Sequence, residues 1–302
     1  MCFIFTLFTL FTGRAERQMR VKVYGCRGSL PTTRNTASKY GSNTSCITLD
    51  TADQTIILDA GSGLAQMDRL TKIFARNGRP FEVLLSHLHL DHLIGLTVFS
   101  KVWMNSPDDL VRIYTLDRDE RPLKEQIFGV FTPPYWPVSM VQFANAECIA
   151  IEAGISFKLG SFTITPFVAA HPDKTISFHI TDGNITVVHL LDNEIPVLSQ
   201  EQWKSLVHYC KDADLVMFDS AYAVIDYPDK KGWGHSTIED GFKLAEASGC
   251  KKMMFTHFGF EYGDQELEIF ESQAKSQGDT FFFARDGMEI LLSSENLAEC
   301  YQ

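Results

Sequence analysis

The sequence lacks several features that would assign a protein class at once. Its 302 residues show no internal repeat, no low-complexity segment and no Cys-x-x-Cys pair. The seven cysteines are odd in number and scattered, which argues against a disulfide framework or a cysteine-based zinc site. We therefore expect reduced thiols and a cytoplasmic protein.

Long hydrophobic runs are also missing. A membrane-spanning helix needs about 20 apolar residues, and no stretch of the chain approaches that length. The longest apolar run, MCFIFTLFTLFT, opens the chain but lacks the basic region that begins a signal peptide. We expect residues 1–18 to be a disordered extension or a mis-called start, residues 19–302 to form one domain, and no membrane partner.

Positive charge is in short supply. The chain has 27 Lys and Arg against 38 Asp and Glu, giving a net charge of −11. Tracking a long nucleic acid requires basic side chains that replace its counterions, so we expect no long nucleic acid as a partner. A small anionic substrate is compatible with this charge, because bound metal ions can supply local positive charge.

Short, β-branched apolar runs are abundant, and helix-like segments separate some of them. The strand-like runs are 21–24, 46–50, 55–59, 81–86, 111–116, 161–168, 175–181, 185–192, 214–219, 251–257 and 280–284. The helix-like segments are 64–77, 92–104, 199–211, 236–249 and 264–276. Because strands cluster in both halves with helices between them, we expect an α/β protein with two layered sheets.

The segment 116–138 looks inserted, since it is charged at first and then rich in proline and aromatic residues. It is either a lid over a site or a surface excursion that packs its own aromatic side chains, and the sequence favours neither. Tyr135, within this segment, is a candidate for stacking on a nucleobase.

The stretch HLHLDH follows the apolar run 81–86 and precedes a helix-like segment. His87 and His89 point to the same side while the chain is extended, and Asp91 and His92 follow at the helix start. Imidazole and carboxylate are ligands of zinc, manganese or iron. Burying this cluster without metal would leave several polar groups unsatisfied, so it predicts a metal site.

HLHLDH resembles the signature of the metallo-β-lactamase fold superfamily, which implies a four-layer αββα sandwich. A later histidine, aspartate and histidine occur at strand ends in the family's order. The resemblance implies two divalent ions: His87, His89 and His171 on the first, Asp91, His92 and His257 on the second, and Asp192 bridging them. It also implies that Asp59 supports the ligands from behind. Zinc suits this histidine-rich set, and manganese or iron would also fit.

The stretch GWGHSTIEDGFKLAEASGCKKMMFTHFGFEY, residues 232–262, is similar to the end of the RNase Z-like phosphodiesterases. This likeness implies that His235 and Asp219 act as a pair beside the metal ions, and that Asp91 orients the attacking water. A protonated histidine fixed by an aspartate suits a reaction that must protonate a leaving alkoxide. The predicted chemistry is phosphodiester hydrolysis.

One departure from RNase Z matters for the substrate. RNase Z proper carries a long arm that holds tRNA between the third-motif histidine and the bridging aspartate, whereas His171 and Asp192 are separated only by two strands and a DGN turn. We therefore expect a small phosphodiester, a 3′,5′-cyclic nucleotide in particular, as substrate. Ser42 and Asn43 are further candidate substrate contacts. The resemblance also implies a homodimer.

Other functions are compatible with the metal ligands alone. A thioesterase, a lactonase or a β-lactamase would use the same fold, although acyl transfer does not require His235. A tRNA 3′-processing nuclease of the RNase Z type is a further alternative. The other histidines, His179, His189 and His208, are expected to be packed or surface residues, because the ligand set is complete without them.

Overall fold

The computed structural model describes residues 18–32, 39–51, 54–71, 80–103, 110–293 and 297–300. Most of the expected extension, residues 1–17, lies outside the described residues, and the first strand begins at Gln18. In chain order the strands are β1 (Gln18–Gly25), β2 (Cys46–Asp50), β3 (Thr55–Leu58), β4 (Phe81–Leu84), β5 (Val111–Leu116), β6 (Ala146–Ile151), β7 (Phe157–Leu159), β8 (Phe162–Val168), β9 (Ile176–Thr181), β10 (Thr186–Leu190), β11 (Leu215–Asp219), β12 (Met253–Thr256), β13 (Phe281–Phe283), β14 (Glu289–Ser293) and β15 (Leu297–Cys300).

Helices connect many of these strands. They are α1 (Leu64–Thr71), α2 (Leu90–Leu93), α3 (Ser100–Trp103), α4 (Leu123–Phe128), α5 (Met140–Phe143), α6 (Gln200–Cys210), α7 (Tyr227–Lys230), α8 (Ile238–Ser248) and α9 (Asp264–Ser276), with 3-10 turns at Ile94–Thr97 and Ile195–Val197. The start of α8 agrees with its sequence, because Thr237 and Asp240 form a reciprocal capping box. No helix in the described part of the chain is long and apolar enough to cross a membrane.

Two mixed sheets form the centre of the molecule. The first has the strand order β15-β14-β1-β2-β3-β4-β5-β6 and the second the order β13-β12-β11-β10-β9-β8-β7. The larger hydrophobic cluster lies between them and joins side chains of both sheets, such as Val21 and Met217. The expected αββα sandwich is confirmed, since a second cluster packs α1 and α4 on the outer face of the first sheet, and α8 packs on β12 of the second.

The site is positioned by strands that run in the same direction. In the first sheet β3, β4, β5 and β6 are parallel, and in the second sheet β10, β11, β12 and β13 are parallel. The carboxyl ends of these strands are where loop residues can converge on a ligand. The candidate residues Asp59, His87, Asp192, Asp219 and His257 all lie at or just beyond such ends.

The segment 116–138 is anchored on the outer face of the first sheet. Ile127, Phe128 and Phe131 are buried, and the rings of Phe131 and Trp136 pack edge to face at 5.9 Å. The segment therefore packs its own aromatic side chains, while Tyr135 is 84% exposed. Whether the segment acts as a lid stays a prediction.

Candidate metal centre

Strained backbone positions mark the strand ends that face the centre of the molecule. Among the described residues, five non-glycine residues have positive φ, and four of them belong to this site: Ser29 (62°), Asp59 (56°), Asp192 (51°) and His257 (60°). Such conformations are unfavourable for residues other than glycine and persist only where surrounding contacts enforce them. Their concentration here indicates a functional constraint on the ends of β3, β10 and β12.

Two groups of potential metal ligands lie side by side. The first contains His87, His89, His171 and Asp192, and the second contains Asp91, His92 and His257. A third, overlapping group joins His235 to Asp192 and His257, and within each group the ligand atoms lie within 4.8 Å of one another. The division between the first two groups is the one that the sequence predicts. The structure therefore brings all seven predicted ligands together, in a histidine and aspartate cluster that could bind metal ions.

Asp192 lies between the two groups, with one carboxylate oxygen toward each. Its Oδ1 is 3.6 Å from His87 Nε2 and 3.9 Å from His171 Nε2. Its Oδ2 is 3.1 Å from His92 Nε2 and 3.4 Å from His257 Nε2. A carboxylate in this position could contact an ion held by either group, and the bridging role of Asp192 stays a prediction.

Unpaired polar atoms support the assignment of a metal site. His87 Nε2 and Asp192 Oδ2 are buried and have no hydrogen-bond partner among the described residues. His92 Nε2 and His257 Nε2 lie 3.2 Å apart, so two ring nitrogens point toward the same small volume. Buried polar atoms are costly without partners, and one cation beside His87 with another beside His92 and His257 would supply partners for these atoms. The donor set present in the chain thus fits divalent metal ions.

Supporting groups orient several of these side chains. Asp59 Oδ2 lies 2.9 Å from His92 Nδ1, and the hydroxyl of Ser86 donates to the same oxygen. The backbone N–H of Ser29 donates to Asp91 Oδ2 at 2.7 Å, while Thr175 Oγ1 lies 3.0 Å from His171 Nδ1. The contacts at Nδ1 of His92 and His171 orient each ring so that its Nε2 can face a metal ion, and the contact from Ser29 holds the Asp91 carboxylate.

The charges of the cluster compensate one another. Burial alone would raise the pKa of Asp91, but His92 and His257 hold it well below its usual range. Burial lowers the pKa of His87, and nearby Asp192 opposes that shift without overcoming it. The imidazole of His87 is therefore neutral at neutral pH, which is the form that binds metal.

His235 and Asp219 form the pair that the sequence predicts. His235 Nδ1 lies 2.8 Å from Asp219 Oδ2, and the His235 ring stacks on that of His257 with centroids 5.1 Å apart. Burial would lower the pKa of His235, but the charge of Asp219 and the hydrogen bond to it raise that pKa to about 9. Because Asp219 is fully buried at the end of β11, it holds the imidazole in one orientation.

Two residues that sequence reasoning missed shape the loop that carries His235. Glu194, only 2% exposed, accepts hydrogen bonds from the backbone N–H groups of Gly232 and Gly234 and from the hydroxyl of Tyr227. Gly234, with φ of 94°, approaches His171 so closely that a Cβ there would lie 2.0 Å from the ring. The paired glycines of KGWGH carry the signal of a tight loop, but nothing in the sequence links them to Glu194.

The candidate substrate contacts are not brought to the cluster by any described contact. The backbone N–H groups of Ser42 and Asn43 donate to Asp286, and the Asn43 side chain bonds Asp286 and Ser62. This is typical of a loop held by internal hydrogen bonds. Tyr135 is exposed on the segment 116–138. Substrate binding by these three residues stays a prediction.

The family comparison agrees with this geometry. The family model described as the beta-lactamase superfamily domain matches residues 54–258, which is more than half of the chain. The matched region includes every predicted metal ligand together with His235 and Asp219.

Similar proteins have related names. A ribonuclease Z from Gemmatimonas aurantiaca is 23% identical over 92% of this chain and 98% of that protein. The metallo-beta-lactamase fold protein YhfI from Bacillus subtilis has a TM-score of 0.67 and 23% identity, covering 92% of this chain and 100% of that one. A diphosphatase of the PhnP family has a TM-score of 0.66 and 15% identity, covering 91% and 98%.

Proposed function

Because the chain belongs to the beta-lactamase superfamily and is a metal-dependent hydrolase, we propose that it is a dinuclear phosphodiesterase that cleaves a small phosphodiester, preferentially a 3′,5′-cyclic nucleotide. The observation that carries this proposal is the buried His235–Asp219 pair, which lies against two groups of metal-binding side chains. Two divalent ions, proposed as zinc with manganese or iron as alternatives, would activate the nucleophile and neutralise the phosphoryl oxygens.

The remaining roles, which are metal binding, orientation of the water and protonation of the leaving group, are assigned to residues of the chain. His87, His89 and His171 would hold one ion, Asp91, His92 and His257 the other, and Asp192 would contact both. Asp91 would also orient the attacking water, since Ser29 fixes one of its oxygens. His235 would protonate the leaving alkoxide from Nε2, because its Nδ1 is engaged by Asp219 and the aspartate favours the protonated ring.

A small substrate is supported by the connection between His171 and Asp192. Strands β9 and β10 pair in register, Thr181 with Thr186, and the turn 182–185 joins them directly. This hairpin contains no long arm of the kind that holds tRNA in RNase Z proper. The net charge of −11 also disfavours a long polyanion.

Processing of tRNA 3′ ends is the second candidate function, and the name of the ribonuclease Z relative favours it. It requires the chain to hold a folded RNA without the arm and with few basic residues. A direct comparison of substrates separates the two functions.

The test is a hydrolysis screen of the metal-loaded protein with cyclic mononucleotides, cyclic dinucleotides, a bis-aryl phosphate, pre-tRNA, a thioester, a lactone and a β-lactam, with and without chelator. We expect cyclic nucleotide turnover that is lost with chelator and in Asp91→Ala, and kept in Asp279→Ala, whose side chain is remote from the cluster. A fully metallated protein that cleaves neither cyclic nucleotides nor the bis-aryl phosphate would contradict the proposal. Cleavage of pre-tRNA alone would favour the second function.

A further inference from the structure

His189 is a buried histidine that the proposed chemistry does not use. It lies on β10, in register with Phe178 of β9 and Met217 of β11, and is 1% exposed. Neither ring nitrogen has a hydrogen-bond partner within the described part of the chain. An unsatisfied buried polar group destabilises the folded state, so an apolar residue would suit this place in the core better. The presence of histidine therefore calls for a physical reason.

The closest charged group to His189 lies at the base of the metal cluster. His189 Nε2 is 3.4 Å from Asp59 Oδ2, and both side chains are almost fully buried. This separation is slightly longer than the usual range of roughly 2.7–3.2 Å for such a hydrogen bond, so the bond inferred below requires the ring to move toward Asp59. The same Asp59 oxygen lies 2.9 Å from His92 Nδ1. Asp59 is thus placed between two imidazoles, one of them a proposed ligand.

The protonation of His189 is compatible with donation to Asp59. Burial lowers the pKa of His189, and the charge of Asp59 opposes that shift without overcoming it. The ring is therefore neutral at neutral pH and carries a single N–H. Placing this proton on Nε2 gives Asp59 Oδ2 a donor in addition to the Ser86 hydroxyl, next to its contact with His92 Nδ1.

We propose that His189 is a positioning residue: its Nε2–H donates to Asp59 Oδ2 and thereby fixes the carboxylate that orients His92 toward the second metal ion. The inference rests on the proposed metal centre, and it concerns metal affinity rather than the identity of the substrate. Loss of an outer partner of a metal-ligating histidine typically costs about 10- to 100-fold in metal affinity.

The structure provides a matched control on the neighbouring strand. His179 of β9 is only partly buried, and β9 and β10 pair it with Val188 and not with His189. Alternate residues of a strand point to opposite faces, so His179 points away from the face of the second sheet that carries His189. Substituting His179 changes a strand histidine of the same sheet without touching the metal cluster.

The experiment measures Zn²⁺ binding to the metal-stripped full chain by competition with a chelator of known affinity, alongside the melting temperature of the metal-free protein. We expect His189→Leu to lower the affinity for one Zn²⁺ ion about 10- to 100-fold and to leave the affinity for the other unchanged. His189→Gln, which keeps a donor, should recover most of the affinity, and His179→Leu should bind like the wild type. The metal-free melting temperature of His189→Leu should change little, because the variant removes the proposed hydrogen bond to Asp59 together with Nδ1, a buried ring nitrogen that has no partner among the described residues.

Three outcomes overturn the inference. Wild-type affinity for both ions in His189→Leu shows that the contact to Asp59 has no role in metal binding. Equal weakening of both ions together with a lower metal-free melting temperature shows a general packing role instead. If the wild-type chain binds no Zn²⁺, the proposed metal centre on which the inference rests does not exist. If the chain binds two Zn²⁺ ions but cleaves no phosphodiester, the proposed function is refuted. The comparison of Zn²⁺ affinities then still decides whether His189 is a positioning residue.

Discussion

Among single residues, His235 has the most direct consequence for catalysis. We expect His235→Asn to lower kcat about 10²- to 10⁴-fold, the usual contribution of a general acid. The metal content should stay unchanged, because the seven predicted ligands do not include His235, although it also forms a possible ligand group with Asp192 and His257. Steady-state kinetics with metal analysis of the same preparation checks both parts. His208→Asn, on the exposed side of α6, is the control and should behave like the wild type. A variant that loses metal in proportion to activity would make His235 a ligand and not an acid.

Gly234 makes a second prediction at the scale of one residue. A Cβ at this position would lie 2.0 Å from the His171 ring, whereas Gly232 has a similar positive φ and open space around it. Both Gly→Ala variants introduce backbone strain, but only Gly234→Ala displaces a proposed ligand. We expect Gly234→Ala to lose one of two bound ions and Gly232→Ala to keep both, as measured by elemental analysis. Equal metal content in the two variants would show that His171 can move without losing its ion.

At the scale of elements, Arg118 links the segment 116–138 to the loop after His171. Its guanidinium pairs with Asp173 and donates to the carbonyl of Lys174 at 3.0 Å, and Asp173 Oδ2 lies 3.8 Å from His89 Nε2. Removing these contacts should cost about 1–2 kcal/mol of local stability, which corresponds to roughly 5- to 30-fold faster opening.

We therefore expect Arg118→Ala to show faster hydrogen exchange over 116–138 and, if the segment is a lid, a raised KM with little change in kcat. Arg121→Ala is the control, because Arg121 is exposed and its described side-chain bonds go to Asp119 within the segment. Unchanged exchange in Arg118→Ala would show that buried residues such as Phe128 hold the segment without the ion pair.

The elements also show where sequence patterns are sufficient and where they are not. Strands such as β5 agree with the expected run 111–116, because β-branched apolar residues suit a buried pleated strand. The expected helix 92–104 is instead split into α2, a 3-10 turn and α3. Gly95 explains part of this break, since its backbone N–H donates to the carbonyl of Ala60, outside the helix, at 2.9 Å. Such contacts between distant segments leave no local signal.

The same limit applies to the site. Strand-end residues such as His87 and Asp192 could be predicted because a family motif and a strand pattern coincide. The pairing of His189 with Asp59 could not, because it joins β10 of one sheet to the end of β3 in the other. From the sequence alone, a histidine inside a strand is predicted to be a packed residue, because its neighbour in the other sheet is known only from the structure.

For the whole molecule, the sequence predicts the αββα sandwich and the chain's family, and both are confirmed. The expected homodimer concerns surfaces that pair only between chains, so it stays a proposal. Light scattering coupled to size exclusion measures the mass directly, with about 34 kDa expected for one chain and twice that for a dimer.

Metal removal tests how the two sheets depend on the cluster. His87 and His92 follow strand β4 of the first sheet, whereas Asp192 and His257 follow β10 and β12 of the second, so the ions would join the two halves of the sandwich. A ligand present at 100 times its Kd stabilises the folded state by about 2.7 kcal/mol, which corresponds to roughly 5–10 °C in Tm for a large domain.

We expect chelation to lower the Tm by at least about 5 °C and re-added Zn²⁺ to restore it. Asp192→Asn should lose most of this difference in Tm, because removing the charge of a carboxylate shared by both ions weakens the binding of each. Asp279→Asn should keep the difference. Differential scanning calorimetry on the stripped and reloaded proteins gives the comparison. A wild-type Tm that is the same in both states, with stripping verified by elemental analysis, would show that the sandwich holds its ligands in place without the ions.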